Sequence, residues 1–289
     1  MSWPSPAHFP YCGPAASPAL LWSRWNFDPV LIAALAAVAL LYALGSAHLA
    51  RRGGGPGRGE RAGFYAGWCF AALALMSPLC ALSVSLFAAR VGQHMILTLL
   101  AAPLVALGRP GTAIAAVCGL GSSSSFWTRP APLAAAGLFA ALLWLWHAPG
   151  PYAATFASTP VYWAMHLSLF GSALWLWQAL LAAPRRALMR QVAAGVISST
   201  QMGLLGALIT LAARPLYTPH LLTTAAWGLG PLQDQQLGGG IMWVPGCFAF
   251  LAAAALAFWP IIARGDLIRA APAGGGAGFG RQVSGGSRL

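Results

Sequence analysis

The chain has 289 residues, of which 58% are hydrophobic and only 7% are charged, and its formal net charge is +12. A water-soluble domain of this size would carry about a quarter charged residues, so the composition excludes an ordinary soluble globular protein. Repeated apolar runs of about 20 residues, without the alternation of barrel strands, predict an all-α polytopic membrane helix bundle.

The predicted elements begin with a tail at residues 1–28, which is rich in proline, serine and aromatic side chains and is expected to lie outside the membrane. Seven transmembrane spans are then predicted, at 29–50, 62–84, 91–108, 130–148, 160–182, 191–213 and 239–263. The apolar stretch 111–120 is too short to cross, so we expect it at the membrane interface. The seven-helix domain is therefore predicted over 29–264. Residues 265–289 are Gly-rich and cannot bury a core, which predicts a disordered cytoplasmic tail.

The distribution of arginine predicts how the chain is oriented in the membrane. There is no lysine, and thirteen of the sixteen arginines fall in the connections 51–61, 109–129 and 183–190 or in the C-terminal tail. Only Arg24, Arg90 and Arg214 fall on the opposite side. Cytoplasmic connections carry the Lys/Arg excess, so the N-terminus is predicted outside and the C-terminus inside. Because the arginines flank apolar spans and form no basic stripe, we expect the lipid bilayer as a partner and no nucleic acid.

In this orientation most histidines fall near the outer face. Imidazole suits copper, and thioether sulfur favours Cu(I), whereas oxygen-loving ions would need more carboxylates than this chain has. The sequence therefore predicts a copper site at the outer face, in which the metal ligands are drawn from His94, His147, His166, His220, Met95 and Met242. The competing interpretation is that these histidines make hydrogen bonds at helix ends and that the methionines only pack.

A polar block directly precedes the last predicted span, at residues 231–243. It contains Asp234, three glutamines and the glycines 238–240. The carboxylate of Asp234 could cap the start of a helix or hold a metal-binding imidazole in orientation. We expect Asp234, Gln235 and Tyr152 to hold the metal-ligating side chains in orientation without binding the metal themselves.

Other chemistries find little support in the sequence. The five cysteines form no Cys-x-x-Cys pair and no zinc-site spacing, so packing roles are predicted for them. There is no Ser-His-Asp set, P-loop or zinc-protease helix, and general acid–base catalysis would need more outer carboxylates. We therefore expect no enzymatic activity.

Three groups of short motifs lie at spans three, four and seven. They are Gln93-His94-Met95 with Ala102-Pro103-Leu104 and Leu107-Gly108-Arg109-Pro110; Trp146-His147-Ala148-Pro149 with Tyr152; and Leu216-Tyr217 with Asp234-Gln235-Gln236-Leu237-Gly238-Gly239 and Met242-Trp243. Together they resemble the motifs of the CtaG-type (caa3-type) cytochrome c oxidase assembly proteins, with similarity over about residues 60–263. The last motif is the most specific of the three.

The resemblance implies a seven-span protein of the bacterial plasma membrane that is needed to mature a haem–copper oxidase, by helping copper reach it. The implied partners are an oxidase subunit and a periplasmic copper donor. Arg90 and Tyr162 stand where many members of the family carry further histidines. A guanidinium beside His94 disfavours a bound cation, so the ligand set of this chain is expected to differ.

Two other functions stay open from the residues alone. One is a membrane b-type cytochrome, in which haem is held between facing histidines such as His94 and His166. The other is a copper importer or exporter, for which Gln201 and Met202 are the main candidates for a path inward.

Overall fold

A computed structural model describes residues 10–119, 131–182 and 187–263, and the regular elements in these ranges are all helices, as the sequence predicts. The predicted tail at 265–289, residues 1–9 and the arginines of the connections at 129, 185 and 186 lie outside the described residues. Ten helices are described: α1 Pro29–Arg51, α2 Arg58–Met76, α3 Leu79–Ser85, α4 Phe87–Leu107, α5 Pro110–Val117, α6 Pro132–His147, α7 Pro149–Ala157, α8 Thr159–Ala182, α9 Leu188–Thr210 and α10 Pro231–Ala263.

Five of the described helices, α1, α4, α8, α9 and α10, are long and apolar enough to cross a membrane. Two further crossings are possible where short helices form bent pairs, α2 with α3 at 49° and α6 with α7 at 71°. Each bend lies at a proline, Pro78 or Pro149, whose ring nitrogen cannot donate the next helical hydrogen bond. The described residues thus contain five to seven candidate membrane spans, and the count of seven stays a prediction.

Two predicted boundaries were wrong. Helix α4 begins at Phe87 rather than at 91, so Arg90 lies inside the helix and not in a connection. Helix α10 begins at Pro231 rather than at 239, so the glycines are helical. A side chain on Gly239 would lie 2.8 Å from the carbonyl oxygen of Gly206, which means that α9 and α10 touch through their backbones. This close packing outweighs the low helix propensity of glycine.

Helix α4 occupies the centre of the bundle and packs against α2, α8 and α10. Helices α9 and α10 form the most extensive pair, while α1 packs mainly against α5, where Gly45 lies directly against the backbone of Ala113. Because α4 is enclosed on most sides, the polar residues of its first turns are removed from solvent.

A disulfide joins Cys12, in the segment before α1, to Cys80 in α3. The sequence-based expectation of packing roles was therefore wrong for these two residues. They are 68 positions apart, so their spacing carries no signal of pairing. Cys69, Cys118 and Cys247 are free.

Candidate functional site: a buried histidine cluster

Three of the predicted ligands come together from three different helices. His94 lies in α4, His147 is the last residue of α6, and His166 lies in α8; each is only 4% exposed. The ring centres of His94 and His147 are 6.1 Å apart, and those of His94 and His166 are 5.3 Å apart. We call these three residues the histidine cluster.

The local sequence explains why His147 stands at a helix end. Ala148 is extended because it precedes Pro149, which disfavours the helical conformation of the residue before it. Helix α6 therefore stops at His147, and α7 leaves at an angle of 71°. The bend directs the imidazole into the bundle while the chain continues over it.

The hydrogen bonds of the cluster determine which ring nitrogen carries the proton. Nδ1 of His147 lies 2.8 Å from the carbonyl oxygen of Leu143, and Nδ1 of His166 lies 3.0 Å from that of Tyr162. A carbonyl can only accept, so Nδ1 donates in both residues and Nε2 keeps its lone pair. Among the described residues, Nε2 of His166 and both ring nitrogens of His94 are buried without a hydrogen-bond partner. The cluster therefore presents several unused nitrogen donors.

Arg90 lies one turn before His94 on α4 and is only 1% exposed. Its Nη1 donates to Oγ1 of Thr155 at 3.0 Å, and its guanidinium stands 4.3 Å from the ring centre of Phe156. The rings of Tyr152 and Tyr162 complete an aromatic cage, with their centres 5.6 and 5.5 Å from the guanidinium carbon of Arg90.

The charge of Arg90 has no carboxylate partner among the described residues. The one ion pair found there joins Arg109 to Glu60. A permanent positive charge thus lies beside the histidine cluster.

The fourth predicted histidine, His220, is buried but belongs to a neighbouring group of aromatic residues. Its Nε2 lies 2.6 Å from the hydroxyl of Tyr152, and its ring is 5.3 Å from that of Phe156. Burial, together with the nearby charge of Arg90, lowers the pKa of His220 to about 3, so the imidazole is neutral at ordinary pH. Tyr152 therefore orients His220, and the described ring contacts of His220 do not include the three clustered histidines.

Asp234 and Gln235 contact backbone groups. The carboxylate of Asp234 is fully buried and accepts from the amides of Phe87 at 2.6 Å and Ala88 at 3.1 Å, the first two residues of α4. Oε1 of Gln235 accepts from the amide of Leu216 at 2.6 Å. Asp234 thus caps α4 from a different helix. The predicted role of Asp234 and Gln235 in orienting a metal-ligating imidazole stays a prediction.

Met95 and Met242 are both buried in the main apolar core. Their predicted ligand roles stay predictions. The described ranges contain no group of three or more His, Cys, Asp or Glu side chains arranged to hold a metal ion. His94 is in ring contact with His147 and with His166.

The sequence singles out Arg90 and Tyr162 only as departures from the family's pattern and does not predict that both are buried around the cluster. Tyr162 lies with its ring 4.1 Å from that of His166, and its hydroxyl reaches the Cys12–Cys80 disulfide. The predicted span 91–108 begins after Arg90 and so puts this residue in a connection. A helix that starts at Phe87 places Arg90 inside the span, on the same face as His94, where a buried side chain is expected.

Comparison with known proteins gives one result for the chain as a whole. Neither the search of curated proteins nor that of solved structures found a match. The family model described as "Cytochrome c oxidase caa3 assembly factor" matches residues 40–264. This range includes α2 to α10, the C-terminal half of α1 and every residue of the histidine cluster. The chain therefore belongs to the cytochrome c oxidase caa3 assembly factor family.

Proposed function

We propose that this chain assists the assembly of a haem–copper oxidase by holding Cu(I) at the histidine cluster and passing it to an oxidase subunit. Copper is the cargo of this protein rather than a resident cofactor. The observation that carries the proposal is the contact of three buried imidazoles from α4, α6 and α8, with unused ring nitrogens. The oxidase connection comes from the family.

The spacing of the rings supports a common ion. A metal–nitrogen bond of about 2.0–2.1 Å puts the centres of two imidazoles on one ion roughly 5–6 Å apart. The observed separations of 6.1 Å for His94 and His147 and 5.3 Å for His94 and His166 fall close to this range. Imidazole is a suitable ligand for copper.

The haem and transporter alternatives gain less support. Ring centres 5.3 Å apart leave no slot for a porphyrin between His94 and His166. On the predicted inward path, Oε1 of Gln201 is occupied by the indole of Trp144, and Met202 packs tightly against Gly246. Both residues therefore have structural partners.

Arg90 suits a carrier that must release its copper. A guanidinium one turn from His94 repels a bound cation and weakens its binding. Weak binding favours transfer to an acceptor of higher affinity over storage. We further propose that a periplasmic copper donor fills the cluster, and that His220, Met95 and Met242 serve as additional ligands along the transfer route.

We propose that the cluster faces the outside of the bacterial plasma membrane, with the N-terminus outside and the C-terminus in the cytoplasm. The arginine excess in alternate connections supports this orientation. The disulfide of Cys12 and Cys80 gives independent support, because disulfides persist in oxidising compartments outside the cytoplasm.

Cysteine labelling in intact cells tests the orientation, in a background in which Cys69 and Cys118 are replaced by serine. Leu222→Cys is expected to react with a membrane-impermeant maleimide, since Leu222 is 91% exposed between α9 and α10. Gly59→Cys, in the first turn of α2, is expected to react only after lysis; a side chain there meets no atom within 4 Å. The reverse pattern would show that the cluster faces the cytoplasm.

Copper binding tests the proposed function on purified chain with the disulfide intact. Wild type is expected to take about one Cu(I) in competition with a chromophoric chelator under anaerobic conditions. The triple variant His94→Gln, His147→Gln, His166→Gln is expected to bind Cu(I) with an affinity lower by roughly 100-fold or more, because the neutral nitrogen donors are removed. His48→Gln is the matched control, since His48 lies in the last turn of α1.

In cells that lack the gene, the His48→Gln variant is expected to restore oxidase activity, whereas the triple variant is expected to restore little. If the triple variant keeps the Cu(I) affinity of wild type, the copper site lies elsewhere. If it loses copper yet restores oxidase activity fully, copper binding at the cluster is not the assembly function.

A further inference from the structure

The segment 10–28, which we call the N-terminal strap, is fixed across the end of the bundle at which the histidine cluster lies. Tyr11 stacks on Tyr162 with ring centres 4.8 Å apart, and Tyr162 in turn contacts His166. Farther along the strap, the carbonyl of Ala16 accepts from Oγ of Ser85 at 3.0 Å. The amide of Asn26 donates to the carbonyl of Met76 at 2.8 Å.

The covalent link of the strap lies next to the cluster. The Sγ atoms of Cys12 and Cys80 lie 3.5 and 3.8 Å from the hydroxyl of Tyr162, whose ring is 4.1 Å from that of His166. A single tyrosine therefore separates the sulfur pair from the imidazoles. Cys80 is almost fully buried, whereas Cys12 is half-buried, so a reductant can reach the bond from the side of the strap.

We propose that Cys12 and Cys80 form a second copper site, which binds Cu(I) when the pair is reduced and releases it when the disulfide forms. A dithiol reductant transfers two electrons and two protons to the disulfide and is itself oxidised to a disulfide. The two thiols then bind one Cu(I) as thiolates and release two protons. This proposal rests on the copper-carrying role proposed above, and it adds an entry site beside the histidine cluster.

The release step balances by thiol–disulfide exchange. A disulfide oxidant accepts two electrons from the copper-bound thiolate pair, and the protein disulfide re-forms while the oxidant becomes two thiolates. The Cu(I) ion keeps its oxidation state and loses both sulfur ligands. It is then left one tyrosine away from the nitrogen donors of the cluster.

The geometry of the pair is compatible with two-coordinate Cu(I). The Cα atoms are 5.5 Å apart, and two metal–sulfur bonds of about 2.3 Å require the sulfurs to separate to roughly 4–4.5 Å. Side-chain rotation provides this without movement of the helices. Thiolate is the ligand that Cu(I) prefers, and Cys69, Cys118 and Cys247 form no second pair.

The charge of the site also favours the reduced, copper-loaded pair. Two thiolates and one Cu(I) carry a net charge of −1. Arg90 stands 5.5 Å from the ring of Tyr162 and lacks a carboxylate partner among the described residues. An anionic complex at the hydroxyl end of Tyr162 would supply the missing counter-charge, whereas copper on neutral imidazoles would not.

The test compares the same purified chain in its oxidised and reduced forms. The protein is reduced with dithiothreitol, freed of reductant without air, and its thiols are counted by alkylation and mass spectrometry. Reduced wild type is expected to take about one more Cu(I) per chain than oxidised wild type in chelator competition. Incubation with oxidised glutathione is expected to release this additional ion.

Variants separate this site from the histidine cluster. Cys12→Ser with Cys80→Ser is expected to abolish the redox-dependent difference, while the matched control Cys69→Ser with Cys118→Ser keeps it. The triple histidine variant is expected to keep the difference as well, so a failure of the cluster and a failure of the cysteine pair give distinct results.

The proposal is overturned if reduced wild type, with both thiols alkylatable, takes no more Cu(I) than the oxidised protein. It is also overturned if the double cysteine variant retains the difference. The comparison of the two wild-type forms needs no substitution, so it decides the question even if the double variant does not fold.

Discussion

Replacing Arg90 by glutamine is expected to raise the Cu(I) affinity of the histidine cluster by roughly 10- to 100-fold. Arg90 and His94 lie one helical turn apart, about 6 Å, and two unit charges at this distance repel by about 2–3 kcal/mol at an effective dielectric constant near 20. Each 1.4 kcal/mol corresponds to about a tenfold change in affinity. The measurement is chelator competition on oxidised protein, so that the cysteine pair does not contribute.

Arg90→Lys is the matched control, because it keeps the charge and loses only the planar stacking in the aromatic cage. Its affinity is expected to stay within about threefold of wild type, since Coulomb repulsion is largely retained. If Arg90→Gln folds normally and binds Cu(I) no more tightly than Arg90→Lys, then either the cluster is not the copper site or an anion already neutralises Arg90.

Replacing Asp234 by alanine is expected to destabilise the bundle by about 2–4 kcal/mol. The fully buried carboxylate accepts from the amides of Phe87 and Ala88, and its removal leaves both donors without a partner where water is absent. A side-chain cap alone contributes about 0.5–2 kcal/mol. The melting temperature in detergent is expected to fall by roughly 5–10 °C.

Two further substitutions serve as controls for the loss of stability expected in Asp234→Ala. Asp234→Asn keeps one acceptor oxygen and is expected to lose about half as much stability. Gln236→Ala lies two positions away on the exposed side of α10 and is expected to change the melting temperature little. Equal melting temperatures for Asp234→Ala and Gln236→Ala would mean that the tertiary cap does not hold α4 in place.

The histidine cluster shows how far a sequence pattern can reach. Topology and charge bias predicted that His94, His147 and His166 share one end of the bundle, because spans alternate in direction and each histidine sits at a known depth. The same argument also included His220, which the structure directs toward Tyr152. Depth in the membrane can be read from sequence, but the direction of a side chain around the helix axis depends on how the helices pack.

Asp234 gives the opposite case. Its position before an apolar run predicted a cap on the helix that follows. The structure instead uses the carboxylate to cap α4, whose first residues are 147 and 146 positions earlier in the chain. A cap supplied by a different helix has no local signature, since the spacing rules apply only within one segment.

The sequence by itself determined the all-helical membrane class and the approximate spans, because hydrophobic length is a local property of the chain. The resemblance of its short motifs pointed to the family. Only the tertiary structure decided that Arg90 is buried in an aromatic cage, that Cys12 pairs with Cys80, and that three histidines meet while a fourth does not. These features depend on contacts between residues distant in sequence. Such contacts form only when the helices pack.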